Sequence, residues 1–206
     1  AEYLGGFDTS GAPRPVTLVD AGARKQLDLR VELSVDDLRA LPGDSIWPAI
    51  AQHLLDLIRS HRSTLIFANS RRLAERIATR LNELAGEDLV RTHHGSLSKE
   101  IRLAVERDLK DGKLPALVAT GSLELGIDIG AIDLVVQLES PRSVARGLQR
   151  VGRSGHLLSA TSNGRVLPKY RGDLVEALAV TRLMAAGEVE PTRIPAICLD
   201  VLAQQI

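Results

Sequence analysis

The sequence has one cysteine in 206 residues, Cys198, so no disulfide can form within it, and its apolar surroundings read as those of a small buried hydrophobe. No further Cys or carboxylate stands at ligand spacing from the adjacent His93 and His94, which removes support for a zinc site. No apolar run approaches the ~20 residues needed to cross a bilayer, and Ala1-Glu2-Tyr3-Leu4 lacks the basic start and apolar core of a signal peptide. The expected location is therefore the cytoplasm, with no membrane partner. Aromatic residues are few, with two Phe, two Tyr and one Trp. The content of 44% hydrophobic and 25% charged residues, with 26 basic against 26 acidic, excludes wholesale disorder, coiled coils and collagen-like fibres.

One further absence is local. Between Glu139 and Asp173 no acidic residue occurs, yet Arg142, Arg146, Arg150, Arg153, Arg165, Lys169 and Arg171 all fall there. A segment so one-sided suggests anionic ligands such as phosphates; a solvated basic face is an equal reading of the run taken alone.

What is present alternates in period. Leu27, Leu29, Val31 and Leu33 alternate with polar residues as in a half-buried strand, after a Gly- and Pro-bearing linker. Ser45 is positioned to cap a helix carrying Ile46, Ile50, Leu54, Leu57 and Ile58, with Pro48 in its first turn. Strands are expected at 64–68, 89–92, 116–119 and 134–138. Helices are expected at 71–85, from a Ser98 cap to Gly112, and from a Ser140-Pro141 start. Short apolar strands alternating with helices imply βαβ units, hence an α/β fold with a parallel sheet covered on both faces, whose strand carboxyl ends line one rim. Beyond Ser159 the pattern changes to a loop over 159–164, a short strand at 165–168, and a helix capped by Asp173 that carries Leu174, Leu178 and Leu183 and stops at Gly187. The apolar run 197–206 reads as the truncated start of a next domain.

Four strand exits combine Gly, hydroxyls and fixed charge. At Phe67-Ala68-Asn69-Ser70-Arg71 a plain helix cap is the stronger reading of the segment alone. His93-His94-Gly95-Ser96-Leu97-Ser98 offers exposed amides and a hydroxyl suited to a sugar-phosphate backbone, though an ordinary turn explains it as well. The run from Ala119 to Gly130 is more specific. Thr120 leaves a strand where it can bond a phosphate, Gly126 permits close backbone approach, and Asp128 can accept from a ribose hydroxyl. In Leu148-Gln149-Arg150-Val151-Gly152-Arg153-Ser154-Gly155-His156, two guanidinium forks flank a helix-ending Gly and are expected to project together toward phosphate oxygens.

In order and position these segments resemble motifs IV, IVa, V and VI of the second RecA-like domain of superfamily 2 helicases. Ser45-Ile-Trp-Pro-Ala, Asn69-Ser-Arg-Arg-Leu-Ala-Glu-Arg, Ser122-Leu-Glu-Leu-Gly-Ile-Asp, Gly152-Arg-Ser-Gly-His and Pro168-Lys-Tyr-Arg-Gly-Asp together resemble the large helicase-related (Lhr) family. That resemblance implies a linker over 1–25, a RecA-like domain over 26–160 and the start of a winged-helix domain over 161–206. It implies 3′ to 5′ ATP-driven movement on single-stranded DNA or RNA and at duplex junctions, in a DNA-repair setting in or near a bacterial nucleoid. Arg153 matches the arginine finger, with Arg150 beside it, and Gly126 and Asp128 match the ATP site. Asn69, Arg71, Gly95, Ser96 and Thr120 match positions near the nucleic-acid backbone. His156 replaces the second arginine common in the wider superfamily.

The sequence contains no G-x-x-x-x-G-K-[S/T] loop and no Asp-Glu pair after an apolar strand. ATP and Mg²⁺ therefore require a first RecA-like domain of the same polypeptide, which would hold the metal. The rival expectation is a stand-alone, non-catalytic nucleic-acid-binding module. An unrelated α/β small-molecule enzyme lacks a visible base and nucleophile.

Overall fold

The computed structural model describes residues 5–17, 19, 26–41, 45–124, 130–155, 161–191 and 198–205. Two compact units are present, one formed by Lys25–Val189 and one by Ala1–Arg24 with Glu190–Ile206. The first contains strands β1 (Leu27–Val31), β2 (Thr64–Phe67), β3 (Val90–His93), β4 (Ala116–Ala119), β5 (Leu134–Leu138) and β6 (Ser162–Leu167). It also contains helices α1 (Trp47–Arg59), α2 (Arg71–Ala85), α3 (Lys99–Lys110), α4 (Val144–Val151) and α5 (Arg171–Ala186). In the second unit lie a Phe7–Pro13 antiparallel bridge and α6 (Leu199–Gln205).

All pairings in the six-stranded sheet are parallel, in the order β1-β6-β5-β2-β4-β3. The chain's direction across this order decides which face each helix covers. Steps toward the β3 edge carry α1 and α2 on one face, and steps back toward β1 carry α3 and α4 on the other, as right-handed crossovers require. Strands β2, β4 and β5 are buried throughout, so their side chains divide by alternation between two cores. Ile66, Val118 and Val136 pack under Ile50, Leu54 and Ile77, whereas Leu65, Phe67, Leu117 and Val135 pack under Val105, Val144, Val151 and Met184. Helix α2 begins at a Ser70 cap and ends at Gly86 with φ 72°, and Ser98 caps α3, both at the expected positions.

Several expectations are corrected. The cap position of α1 is Ile46, and Ser45 Oγ only accepts from Trp47 N at 3.4 Å. Ser140-Pro141 does not open α4. Asp173 Oδ1 accepts from the Ser140 amide at 2.7 Å, and the cap passes to Ser143, whose hydroxyl accepts from Arg146 N. Asp173 is thus no cap of α5; it is buried and ties the β5 exit to the β6 exit, where Lys169 N donates to its other oxygen at 2.9 Å. Residues 162–164 are strand, not loop. Gly164 sits so close to Leu29 and Val151 that an added methyl would approach their side chains at 2.7 and 2.9 Å. Helix α5 buries Ala177, Val180 and Met184 and leaves Leu178 and Leu183 exposed. Cys198 is exposed. The boundary expected at 160/161 falls inside the sheet-bearing unit, because β6 is hydrogen-bonded between β1 and β5 and α5 packs on α4 and β1.

Candidate functional site

The carboxyl ends of the strands bring three of the four expected segments to one rim, while the fourth lies at the end of α4 beside the residues that precede β5. Phe67 and His93 both pair with a strand ending at Ala119, so the exits after β2, β3 and β4 are neighbours. Arg71 Nη1 donates to Ser96 Oγ at 2.8 Å, joining the first turn of α2 to the β3 exit. Thr120 N donates to His93 O at 3.2 Å, joining the β3 and β4 exits. Gly95 and Ser96 are exposed, and nothing lies within 4 Å of where a Cβ would stand on Gly95, so a ligand backbone has open approach there. The adjacent histidines face inward. His93, fully buried, lies 2.9 Å from Ser122 Oγ and 2.8 Å from Glu106 Oε1, and His94 lies 2.5 Å from Glu75 Oε1. They pin the loop that presents Gly95 and Ser96.

Asn69 does not present its amide to a ligand. Nδ2 donates to Glu139 Oε2 at 3.3 Å and Ser140 O at 3.2 Å, and Oδ1 accepts from Arg150 at 3.3 Å, so Asn69 is a strut between the β2 and β5 exits.

The two guanidinium forks expected to project together are separated. Arg150 is 4% exposed. Its Nε and Nη2 donate to Glu124 Oε1 at 2.8 and 2.5 Å, Nη1 donates to Gln137 Oε1 at 2.5 Å, and the guanidinium lies 5.1 Å from the Phe67 ring centroid. Burial lowers the Arg150 pKa from its ordinary value, and the Glu124 hydrogen bond and charge oppose that shift; the group stays a cation. Arg150 is therefore an internal bolt joining four segments, its Nε, Nη1 and Nη2 each donating to protein acceptors rather than projecting beside Arg153. Arg153, one turn on and partly exposed, donates through Nη2 to the Glu124 carbonyl at 2.5 Å. Glu124 thus holds both arginines, one by its carboxylate and one by its backbone. Gly126, Asp128 and His156 lie outside the described residues.

The acid-free segment finds its acids elsewhere in the fold. Arg165 pairs with Asp28 at 3.2 Å and Glu32 at 2.9 Å, Arg150 with Glu124, and Lys169 with Glu139. Much of the apparent basic face is internal pairing. Glu124, Gln137 and Glu139 are site residues that sequence reasoning passed over. Gln137 carried a signal, since a polar side chain in an otherwise apolar strand, Leu-Val-Val-Gln-Leu, must find a buried partner. Glu139 and Arg142 are the two described non-Gly residues at positive φ, 63° and 65°, a strain of about 1–3 kcal/mol each held at the β5 exit.

A six-stranded parallel sheet with helices on both faces and βα loops along its carboxyl rim is the architecture of a RecA-like domain. The family described as Helicase conserved C-terminal domain matches residues 49–157, and the chain belongs to that family. It is 45% identical over its whole length to the ATP-dependent helicase Lhr-Core of Methanothermobacter thermautotrophicus, covering 24% of that protein. Identity is 40% to the Lhr helicase/uracil glycosylase of Escherichia coli, over 95% of this chain and 16% of the relative. The structure of Mycobacterium smegmatis helicase Lhr bound to ssDNA and AMP-PNP superposes with a TM-score of 0.88 at 51% identity, over 93% of this chain and 26% of that one. The expected resemblance to Lhr helicases and the expected α/β RecA-like sheet both hold. The chain spans about a quarter or less of these relatives' lengths.

Proposed function

We propose that the chain is the second RecA-like half of an ATP-dependent helicase that moves 3′ to 5′ along single-stranded DNA or RNA. The observation that carries this reading is the division of labour on one sheet. Arg71, Gly95, Ser96 and Thr120 lie along the rim, while Arg153 lies at the far end of α4, anchored on the residue that precedes the 125–128 segment. In this reading the rim hydroxyls, the Arg71 guanidinium and the open backbone at Gly95 grip successive phosphates without reading bases. Asn69 acts indirectly, by fixing the β2 exit.

ATP with Mg²⁺ supplies the phosphoryl bond whose cleavage drives the cycle, with the metal held by the first RecA-like domain. Arg153 suits a γ-phosphate contact because it is partly exposed and its fork is oriented from behind by a neutral carbonyl. Gly126 and Asp128 would meet the nucleotide ribose. Closure of the two halves places the Arg153 charge where negative charge develops, and a strand gripped by both halves favours the closed state. Residues 190–206 are assigned to the start of a winged-helix domain, a later beginning than 161.

The test is binding of two unrelated oligonucleotides to the 206-residue chain at several salt concentrations. With half of the track and ~2 to 4 phosphates neutralised, the expected Kd is about 10⁻⁵ M or weaker, and log K falls against log salt with a slope of roughly −1.5 to −3. Ser96→Ala and Thr120→Ala each weaken both sequences equally, by about 1 kcal/mol. Tight, salt-insensitive or sequence-selective binding would support the stand-alone module instead.

A further inference from the structure

Next to the rim, between the starts of α1 and α2 and the exits of β5 and β6, lies a cleft of about 260 Å³ that no role has yet been given. Trp47, Arg72, Arg76, Glu139, Arg142 and Lys169 line it. Four cations therefore face one carboxylate, and that carboxylate is already engaged by Lys169 and Asn69. The Arg76 guanidinium stands 4.8 Å and the Lys169 ammonium 5.8 Å from the Trp47 ring centroid, so the indole gathers two cations at one wall. Arg72 and Arg142 are exposed, and neither guanidinium has a hydrogen bond or ion pair among the described residues. Both strained residues, Glu139 and Arg142, point the β5 exit into this cleft's lining.

Four cations gathered around one carboxylate that is already engaged repel one another, and folding alone gives no reason to hold them together; an anion does. The identity of the anion follows from the path leading to the cleft. Ser70, Arg71 and Arg72 are consecutive at the start of α2, with Arg71 reaching Ser96 on the rim and Arg72 lining the cleft. A polyanion held by Arg71 on the rim therefore has Arg72 as the next residue, and guanidinium forks match phosphate oxygens. We propose that this cleft is a second phosphate-binding station that takes the backbone of the nucleic-acid strand after it leaves the Arg71–Ser96 rim. The proposal rests on the reading that a strand crosses that rim.

Trp47 is the chain's one tryptophan, so its emission reports on the wall where it stands, and the Arg72→Gln comparison ties any change to this cleft. The 206-residue chain is titrated with a thymidine oligonucleotide carrying a 5′ fluorophore, following anisotropy and Trp47 emission together. The expected result is one midpoint for both signals. Arg72→Gln and Arg142→Gln each weaken binding by about 3- to 10-fold. The double variant loses the Trp47 change and has a salt slope shallower by roughly 0.7 for each phosphate contact removed. If Arg142→Gln disturbs the strained loop, as a lowered melting temperature would reveal, Arg72→Gln alone carries the comparison. Binding seen by anisotropy with Trp47 emission unchanged, and with Arg72→Gln binding like the parent, overturns the station while leaving the rim reading intact. No binding by either signal overturns both. A poly-glutamate peptide that changes Trp47 emission when the oligonucleotide does not would mean that the cleft receives an acidic protein segment.

Discussion

Replacing Arg153 with alanine in the complete enzyme is expected to lower ATP turnover at least about a hundredfold, as arginine fingers contribute on the order of 10³ to 10⁵ in related phosphoryl transfers. ATP affinity should change much less, because the charge that Arg153 meets exists mainly in the transition state. Thermal denaturation of the alanine variant checks that the fold survives the change. Lysine should rescue poorly, since it lacks the planar fork that the Glu124 carbonyl orients from behind. Turnover near the parental rate in the alanine variant would remove Arg153 from the assigned role.

Arg150→Met should act through stability. The substitution leaves the Glu124 carboxylate, Gln137 Oε1 and Asn69 Oδ1 without their shared donor in a buried setting. Breaking such a pair from one side costs about 3–5 kcal/mol, whereas replacing both partners by apolar groups of similar size can be close to neutral. Thermal denaturation of the 206-residue chain should therefore show a large loss for Arg150→Met and substantial recovery in Arg150→Met combined with Glu124→Leu. The two roles open to Arg150 separate here. A phosphate-contacting Arg150 predicts lost turnover at an unchanged melting temperature, and an internal bolt predicts a lowered melting temperature in the absence of ATP.

The elements legible in the sequence are those whose signals are local. Ser70 and Gly86 bracket α2, and Ser98 caps α3, because cap and stop residues act within one turn of themselves. The strands 116–119 and 134–138 were legible because a strand covered on both faces is a short, continuous apolar run. What escaped depends on distant partners. Ser140 and Ser143 are equally good caps by sequence, and the choice is made by Asp173, 33 residues away. Ser-Asn-Gly at 162–164 has poor strand propensity, yet β6 occupies an interior slot where pairing on both sides overrides it. The Gln-Arg-Val-Gly-Arg run marked both arginines as site residues but could not tell them apart. Arg150 turns inward because its partners Gln137, Glu124 and Asn69 lie 13, 26 and 81 residues away, and only the folded sheet brings them to one point.

On the proposed reading, this chain would complete an ATP site that it cannot form alone. The most direct test of that reading is steady-state ATP hydrolysis by the purified 206-residue chain, with and without saturating single-stranded nucleic acid. With no loop for the β- and γ-phosphates and no carboxylate pair for Mg²⁺, the predicted rate is that of the buffer blank in both cases. Hydrolysis stimulated by the strand, co-purifying with the chain through successive columns, would contradict it.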